Sequence, residues 1–231
     1  MNLKHRSTVT EAESREGFQQ VSKDLLEHRA DQGVNYWAGS PYPTILIWAG
    51  RIFEFLQALE KVTGFLPARR QSYEVGYRSG WDGAEVSSAQ FAALPPAEAA
   101  IQLMLSGNRV LSGAGWGRAA IEYDPDAKSV VWEFHKGTAI GLAAKMQGMR
   151  EQAACPFMAG FIAGWTDRAL GLGREVIEVE CVACGFPRCR FETREFLRVK
   201  ELRPSKDSSR TARRPRGQSS ARRRDRGDRT S

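Results

Sequence analysis

Three of the four cysteines in this chain, Cys181, Cys184 and Cys189, lie in one short stretch toward its C-terminal end. The fourth, Cys155, lies 26 residues before Cys181, at the start of an apolar segment. A Gly-Phe-Pro turn signal and two glutamates accompany the cluster. In a chain without an export signal, clustered thiols are typical of metal ligands or redox groups rather than disulfides. This cluster therefore constrains the fold more than any other feature.

The spacing of these residues favours a structural zinc site over buried unliganded thiols or a redox centre. Cys181 and Cys189 flank the turn, so a hairpin brings their side chains together. Cys155 at a helix start can supply a third thiolate, because the helix N-terminus favours the ionised thiol. From spacing alone, the fourth ligand remains open among Cys184, Glu178 and Glu180. A closed site with four protein ligands has no position for a catalytic water, so such a metal would be structural.

The basic charge of the chain is concentrated at its C-terminal end. The net charge is +7, but residues 200–231 contain 12 Lys and Arg against 4 Asp and Glu. The remainder is nearly neutral, which argues against a basic fold built around nucleic acid. The segment has almost no apolar residues, so we predict a disordered tail that binds polyanions weakly and in a salt-dependent manner.

No membrane association or export is expected from the sequence. No apolar run approaches the ~20 residues needed to span a bilayer. The first residues also lack the apolar stretch of a signal peptide. We therefore expect a cytoplasmic protein.

The hydrophobic pattern predicts an α/β (α+β) fold, in which a mixed or antiparallel sheet is flanked by helices. Residues 1–10 are expected to be loose. Thr10 should start a helix that runs to about Arg29, with an apolar stripe (Phe18, Val21, Leu25) that packs on the body or on a second subunit. The other predicted elements are a loop at 31–43, a helix at 52–62 closed by Gly64, a helix ending near Gly80, two helices within 84–106 divided at Pro95-Pro96, a hairpin at 119–134, a helix over the second half of 137–150, a helix at 155–170, and strands at 175–181 and 189–196.

The residues around the cysteines resemble the 4-vinyl reductase-type domain, which also forms the effector-sensing part of phenol- and xylene-responsive sigma-54 activators. The matching motifs are Gly160-Phe-Ile-Ala-Gly-Trp165, Gly173-Arg-Glu175, Glu178-x-x-Cys181 and Gly185-x-x-x-Cys189-Arg190, with an upstream Gly76-Tyr77-x-x-Gly80. The similarity extends over about residues 40–195. It implies a fold akin to TRAPP subunits and a tendency to form dimers.

The resemblance also implies a zinc ligand set. The family's ligands fall on Cys155, Glu178, Cys181 and Cys189, which leaves Cys184 as a neighbour that does not bind the metal. In a regular strand, Glu178 and Cys181 would face opposite sides of the sheet. The resemblance therefore requires a twist or bulge before the turn.

The candidate ligand-binding residues form an aromatic-rich set whose alternative interpretation is an ordinary hydrophobic core. In the phenol sensors a His and a Trp hold the hydroxyl group; the Trp position falls here on Phe134 and the His position near Asn108. This departure puts phenol itself in doubt and favours a different or more apolar ligand. The candidate residues are Trp132, Phe134, Phe161, Trp165, Val176 and Asn108. His135 lacks a partner at a recognisable catalytic spacing and is expected at the surface.

Three functional hypotheses follow from these observations. The favoured one is a stand-alone zinc-containing sensor that binds a small hydrophobic or aromatic molecule, forms a homodimer and signals through a regulatory protein. The second is an enzyme or accessory factor of tetrapyrrole (vinyl) reduction, although no hydride-donor site, acid pair or nucleophile motif is recognisable. The third is a dimeric scaffold without a ligand. The predicted organisation is an N-terminal helix and dimerisation arm (1–35), a sensor domain (36–198) and a basic tail (199–231).

Overall fold

The computed structural model describes residues 4–20, 23, 26–29, 34–37, 43–44 and 48–194. The elements in chain order are β1 (His5–Thr8), α1 (Glu11–Gln20), β2 (Leu26–Arg29), β3 (Val34–Trp37), β4 (Pro43–Thr44), α2 (Ala49–Thr63), α3 (Phe65–Ser88), α4 (Pro96–Gly113), β5 (Ala119–Asp124), β6 (Ser129–Phe134), α5 (Ala139–Met146), α6 (Pro156–Leu170), β7 (Glu175–Glu180) and β8 (Cys189–Arg194). Short 3₁₀ turns lie at Ala89–Phe91 and Val182–Cys184.

The predicted hairpin at 119–134 forms the middle of a five-stranded sheet. The strand order is β1-β5-β6-β8-β7, and every neighbouring pair is antiparallel. Strand alternation places Ile121, Trp132 and Phe191 in one row across β5, β6 and β8, and all three are fully buried. The mixed α/β class expected from the sequence is confirmed.

Helices α3 and α6 run parallel and pack with their backbones in direct contact. Gly76 and Gly80 of α3 lie against Phe157 and Phe161 of α6, and Gly160 and Gly164 of α6 lie against the backbone of α3. A Cβ added at any of these four glycines would lie 1.9–2.0 Å from a carbonyl oxygen of the other helix. The two Gly-x-x-x-Gly spacings noted in the sequence are therefore the two halves of one helix contact.

The N-terminal region differs from the sequence prediction. The helix begins as expected, and the Thr10 hydroxyl and Glu13 carboxylate form a reciprocal capping box. However, Leu26–Arg29, predicted as the end of this helix, forms a strand that pairs with Val34–Trp37, which was predicted as loop. Interstrand hydrogen bonds thus override the helical spacing of the apolar residues. Residues His5–Thr8, predicted to be loose, pair with β5.

Three further predictions need adjustment or lie outside the described residues. Helix α3 continues past Gly80 to Ser88, because Gly80 serves the contact with α6 and does not terminate the helix. Helix α5 starts at Ala139, earlier than predicted, and is capped by the Thr138 hydroxyl. Val21, Leu25 and the basic tail lie outside the described residues. Among the described helices, none is both long and apolar enough to cross a bilayer.

Candidate metal centre and aromatic cluster

The chain brings Cys155, Glu178, Cys181 and Cys189 together at the junction of α6 with the β7–β8 hairpin. Cys155 is the residue that precedes α6, and Cys189 opens β8. One ligand atom from each of the four residues lies within 4.8 Å of the others. Around a tetrahedral zinc with Zn–S bonds of ~2.3 Å, sulfur atoms are about 3.8 Å apart, so small side-chain adjustments would close the group on an ion.

A β-bulge brings Glu178 and Cys181 to the same side of the hairpin. The register of β7 against β8 shifts between Glu178 and Glu180, and Cys181 follows directly after the strand. The bulge removes the alternation that would otherwise separate the two side chains. Cys184 lies in the 3₁₀ turn of the same hairpin but does not belong to the four-residue group.

Backbone and side-chain groups around the cluster hold its members in place. The Cys155 backbone N–H donates to Glu178 Oε2 at 2.9 Å, and the Ala154 N–H donates to Cys181 Sγ at 3.5 Å. The buried Thr138 hydroxyl lies 3.1 Å from Cys155 Sγ. Thr138 was missed in the sequence, although a threonine before an apolar helical run is a recognisable N-cap signal.

The electrostatics of the cluster suit a cation. Burial raises the pKa of the Cys155 thiol well above its ordinary value and that of the Glu178 carboxyl to about 8. Hydrogen bonds from the Cys155 and Cys189 thiols lower the pKa of Cys181, so one thiolate is held among protonated neighbours. Glu178 Oε1 is buried and has no hydrogen-bond partner among the described residues. A divalent cation would stabilise the anionic form of all four groups and give Oε1 a partner.

The donor set identifies the class of metal that the cluster could hold. Three thiolates and one carboxylate oxygen match borderline-soft ions that accept tetrahedral geometry, of which zinc is the commonest in proteins. The cluster therefore fits a metal ion, with Cys155, Glu178, Cys181 and Cys189 as its ligands.

The predicted aromatic residues lie beside this cluster, between the sheet and α6. Trp132 stacks with Phe134 at a centroid distance of 6.5 Å, and Phe161 stacks with Trp165 at 6.0 Å. Gly107 of α4 lies between the two tryptophans, since a Cβ there would be 2.5 Å from Trp132 Cη2 and 2.8 Å from Trp165 Nε1. All four aromatic residues, together with Val176, belong to the same buried core.

Two polar atoms in this region are buried without a hydrogen-bond partner among the described residues. They are Trp132 Nε1, a donor, and Asn108 Oδ1, an acceptor. The other polar atom of the Asn108 side chain, Nδ2, donates to Ser7 Oγ at 2.8 Å. By contrast, Trp165 Nε1 donates to the Leu103 carbonyl at 3.0 Å. Unpaired buried polar atoms are costly, so this donor and this acceptor call for an explanation.

Known proteins resemble the chain in one sequence segment and in overall fold. Residues 142–195 match the model of the 4-vinyl reductase-type domain, and this segment contains all four residues of the candidate metal centre. The crystal structure of the phenol-responsive sensory domain of the transcription activator PoxR, solved with phenol, superposes with a TM-score of 0.67 at 19% sequence identity. The match covers 84% of this chain and 96% of that domain, so the two share a fold. No protein of curated function matches the chain significantly.

Proposed function

Because the chain carries a 4-vinyl reductase-type domain, we propose that it is a small-molecule sensor stabilised by a zinc ion. Zinc joins the β7–β8 hairpin to the start of α6 through Cys155, Glu178, Cys181 and Cys189. The neighbouring aromatic cluster takes a small hydrophobic or aromatic molecule, and the bound state is passed to a regulatory protein. The convergence of four ligand-type side chains from three separate elements is the observation that carries this proposal.

Zinc has a structural role in this proposal. With four protein ligands the ion has no open position for water or substrate, so it contributes folding free energy and no chemistry. The site connects the hairpin to the same helix that carries Phe161 and Trp165. Metal binding therefore fixes one wall of the aromatic cluster.

The two unpaired polar atoms support a ligand with one hydroxyl group. A hydroxyl oxygen can accept the hydrogen of Trp132 Nε1 while its own hydrogen is donated to Asn108 Oδ1. A purely apolar ligand would leave both atoms unpaired and would lose affinity. Phenol is the ligand of the PoxR sensory domain, and its hydroxyl has this donor and acceptor capacity. We therefore propose a hydroxylated aromatic compound as the ligand class.

The proposed homodimer has support on the outer face of α2. Trp48, Phe55 and Val62 recur every seven residues and are 78%, 69% and 84% exposed. They point away from Phe53 and Leu56, which pack into the core. An apolar stripe at this spacing is typical of a helix that pairs with another helix. We propose that a second copy of the chain covers it.

The zinc proposal is tested by metal analysis of the purified full-length protein and of two cysteine variants. We expect one zinc per chain in the wild type, a loss of metal in Cys181→Ala, and full retention in Cys184→Ser, the matched control from the same turn. Cys181→Ala should also lower the melting temperature. The idea fails if wild-type protein contains no zinc, or if Cys181→Ala stays fully loaded.

The ligand proposal is tested by tryptophan fluorescence titration with phenol and with toluene, which has similar size but no hydroxyl. We expect phenol to bind more tightly than toluene, and Trp132→Phe to remove the difference because it deletes the unpaired N–H. Equal weak responses to both compounds in the wild-type protein would contradict a hydroxyl-binding cluster. If neither compound binds, a scaffold without a ligand becomes the better description.

A further inference from the structure

A polar pocket lies away from the aromatic cluster, where α1 meets the ends of β5 and β6. It has a volume of about 270 Å³ and is lined by Glu11, Ser14, Arg118, His135 and Lys136. None of these residues belongs to the proposed metal or ligand site. Its walls are fixed: the His135 N–H donates to the Arg118 carbonyl at 2.9 Å, and Ser14 Oγ accepts from Ser112 Oγ at 2.7 Å.

The charges of this pocket favour an anion. Two of its residues, Arg118 and Lys136, are cationic, and Ser14 and His135 add hydrogen-bonding groups. The Arg118 side chain is only 23% exposed, so its charge is screened less by solvent than that of a typical surface arginine. Lys136 has φ 64°, a left-handed conformation that is uncommon for lysine, in the tight turn after β6.

A carboxylate of the chain itself already lies in the pocket. Glu11 Oε1 is 3.4 Å from Arg118 Nη1, although the Glu11 side chain is 84% exposed. An exposed side chain at the start of a helix is displaced easily, because its ion pair gains little net free energy in water. Glu11 therefore marks where an external anion would bind and also competes with it.

We propose that this pocket binds a small anionic ligand through a carboxylate or phosphate group, in exchange for the Glu11 carboxylate. Arg118 provides the bidentate contact, Lys136 the second charge, and Ser14 a hydrogen bond. This site is additional to the proposed sensing site and does not depend on zinc or on the aromatic ligand.

The test is isothermal titration calorimetry of the full-length protein with inorganic phosphate and, separately, with acetate, at constant ionic strength. Arg118→Gln should weaken binding by about tenfold or more, because it removes the charge-assisted contact. Glu11→Gln should strengthen binding severalfold, because it removes the competing carboxylate. Lys136→Gln, an exposed change that leaves the Arg118 ion pair intact, should also weaken binding.

Lys61→Gln is the matched control, since it removes the same charge from an exposed position on α2. The basic C-terminal segment is common to all variants and contributes equally to each titration. Phosphate binding that exceeds acetate binding would identify a phosphoryl group, and the reverse a carboxylate. The proposal is overturned if neither anion binds saturably, if Lys61→Gln weakens binding as much as Arg118→Gln, or if Glu11→Gln fails to strengthen it.

Discussion

The contact between α3 and α6 makes a strong prediction for Gly80→Ala. A Cβ at Gly80 would lie 1.9 Å from the Phe161 carbonyl oxygen and 2.7 Å from its carbonyl carbon. Both atoms belong to backbone in the middle of a helix, so no change of side-chain rotamer can relieve the overlap. The helices would have to separate by about 1.5 Å to reach ordinary van der Waals contact.

The expected cost follows from this separation. Overpacking of a well-packed interior typically costs about 1–3 kcal/mol, and a clash between two backbones lies at or above the upper end of that range. Alanine in place of glycine in a helix returns about 1 kcal/mol. We therefore expect Gly80→Ala to lower the free energy of unfolding by about 2–3 kcal/mol. Since α6 also carries Trp165 and is preceded by Cys155, the aromatic cluster and the metal centre should loosen together.

Gly83→Ala in the same helix is the matched control. Its nearest neighbour would be a Trp165 ring carbon at 3.4 Å, at the edge of ordinary contact. This variant gains the same helix propensity without the clash and should be neutral or up to about 1 kcal/mol more stable. Urea unfolding followed by far-UV circular dichroism measures both variants. If Gly80→Ala unfolds at the same urea concentration as Gly83→Ala, the backbone contact between the two helices does not exist in solution.

Three further changes test other parts of the structure. Thr138→Val removes the α5 cap and the contact with Cys155 Sγ and should cost about 1–2 kcal/mol in urea unfolding, whereas Thr138→Ser should cost less. Tyr77→Phe deletes a hydrogen bond of 2.5 Å to Asp167 Oδ2 and should lower the melting temperature by a few degrees, corresponding to about 1 kcal/mol. Phe55→Asp on the exposed face of α2 should convert the proposed dimer to monomer in light scattering without loss of helix content, while Arg51→Gln beside it should not; an unchanged mass for Phe55→Asp would contradict the interface.

The sequence predicted the elements whose pattern is local and strong. Alternation in 119–134 and helical spacing in 155–170 correspond to β5, β6 and α6. The resemblance to 4-vinyl reductase-type domains named the four residues that the structure brings together, because their spacing depends on one helix start and one turn. Local signals of this kind can be read without knowledge of the tertiary contacts.

The remaining features depend on contacts between distant parts of the chain. Residues His5–Thr8 become a strand only because β5 offers free hydrogen-bonding groups. Gly80 suggests a helix end when read alone, yet its partner Phe161 keeps the helix continuous. The pairing of Leu26–Arg29 with Val34–Trp37 likewise outweighs a helical arrangement of apolar residues. In each case the deciding partner lies beyond the reach of a local pattern.

The pairing of β1 with β5 has a consequence for the order in which the protein matures on the ribosome. His5 pairs with Tyr123, so the first strand to be synthesised waits for a partner that is made more than a hundred residues later. At about 5–20 residues per second, this delay is roughly 6–24 s. The ligand cluster closes later still, when Cys189 leaves the exit tunnel. Metal capture would thus come at the end of synthesis, which makes it suited to act as the step that completes the fold.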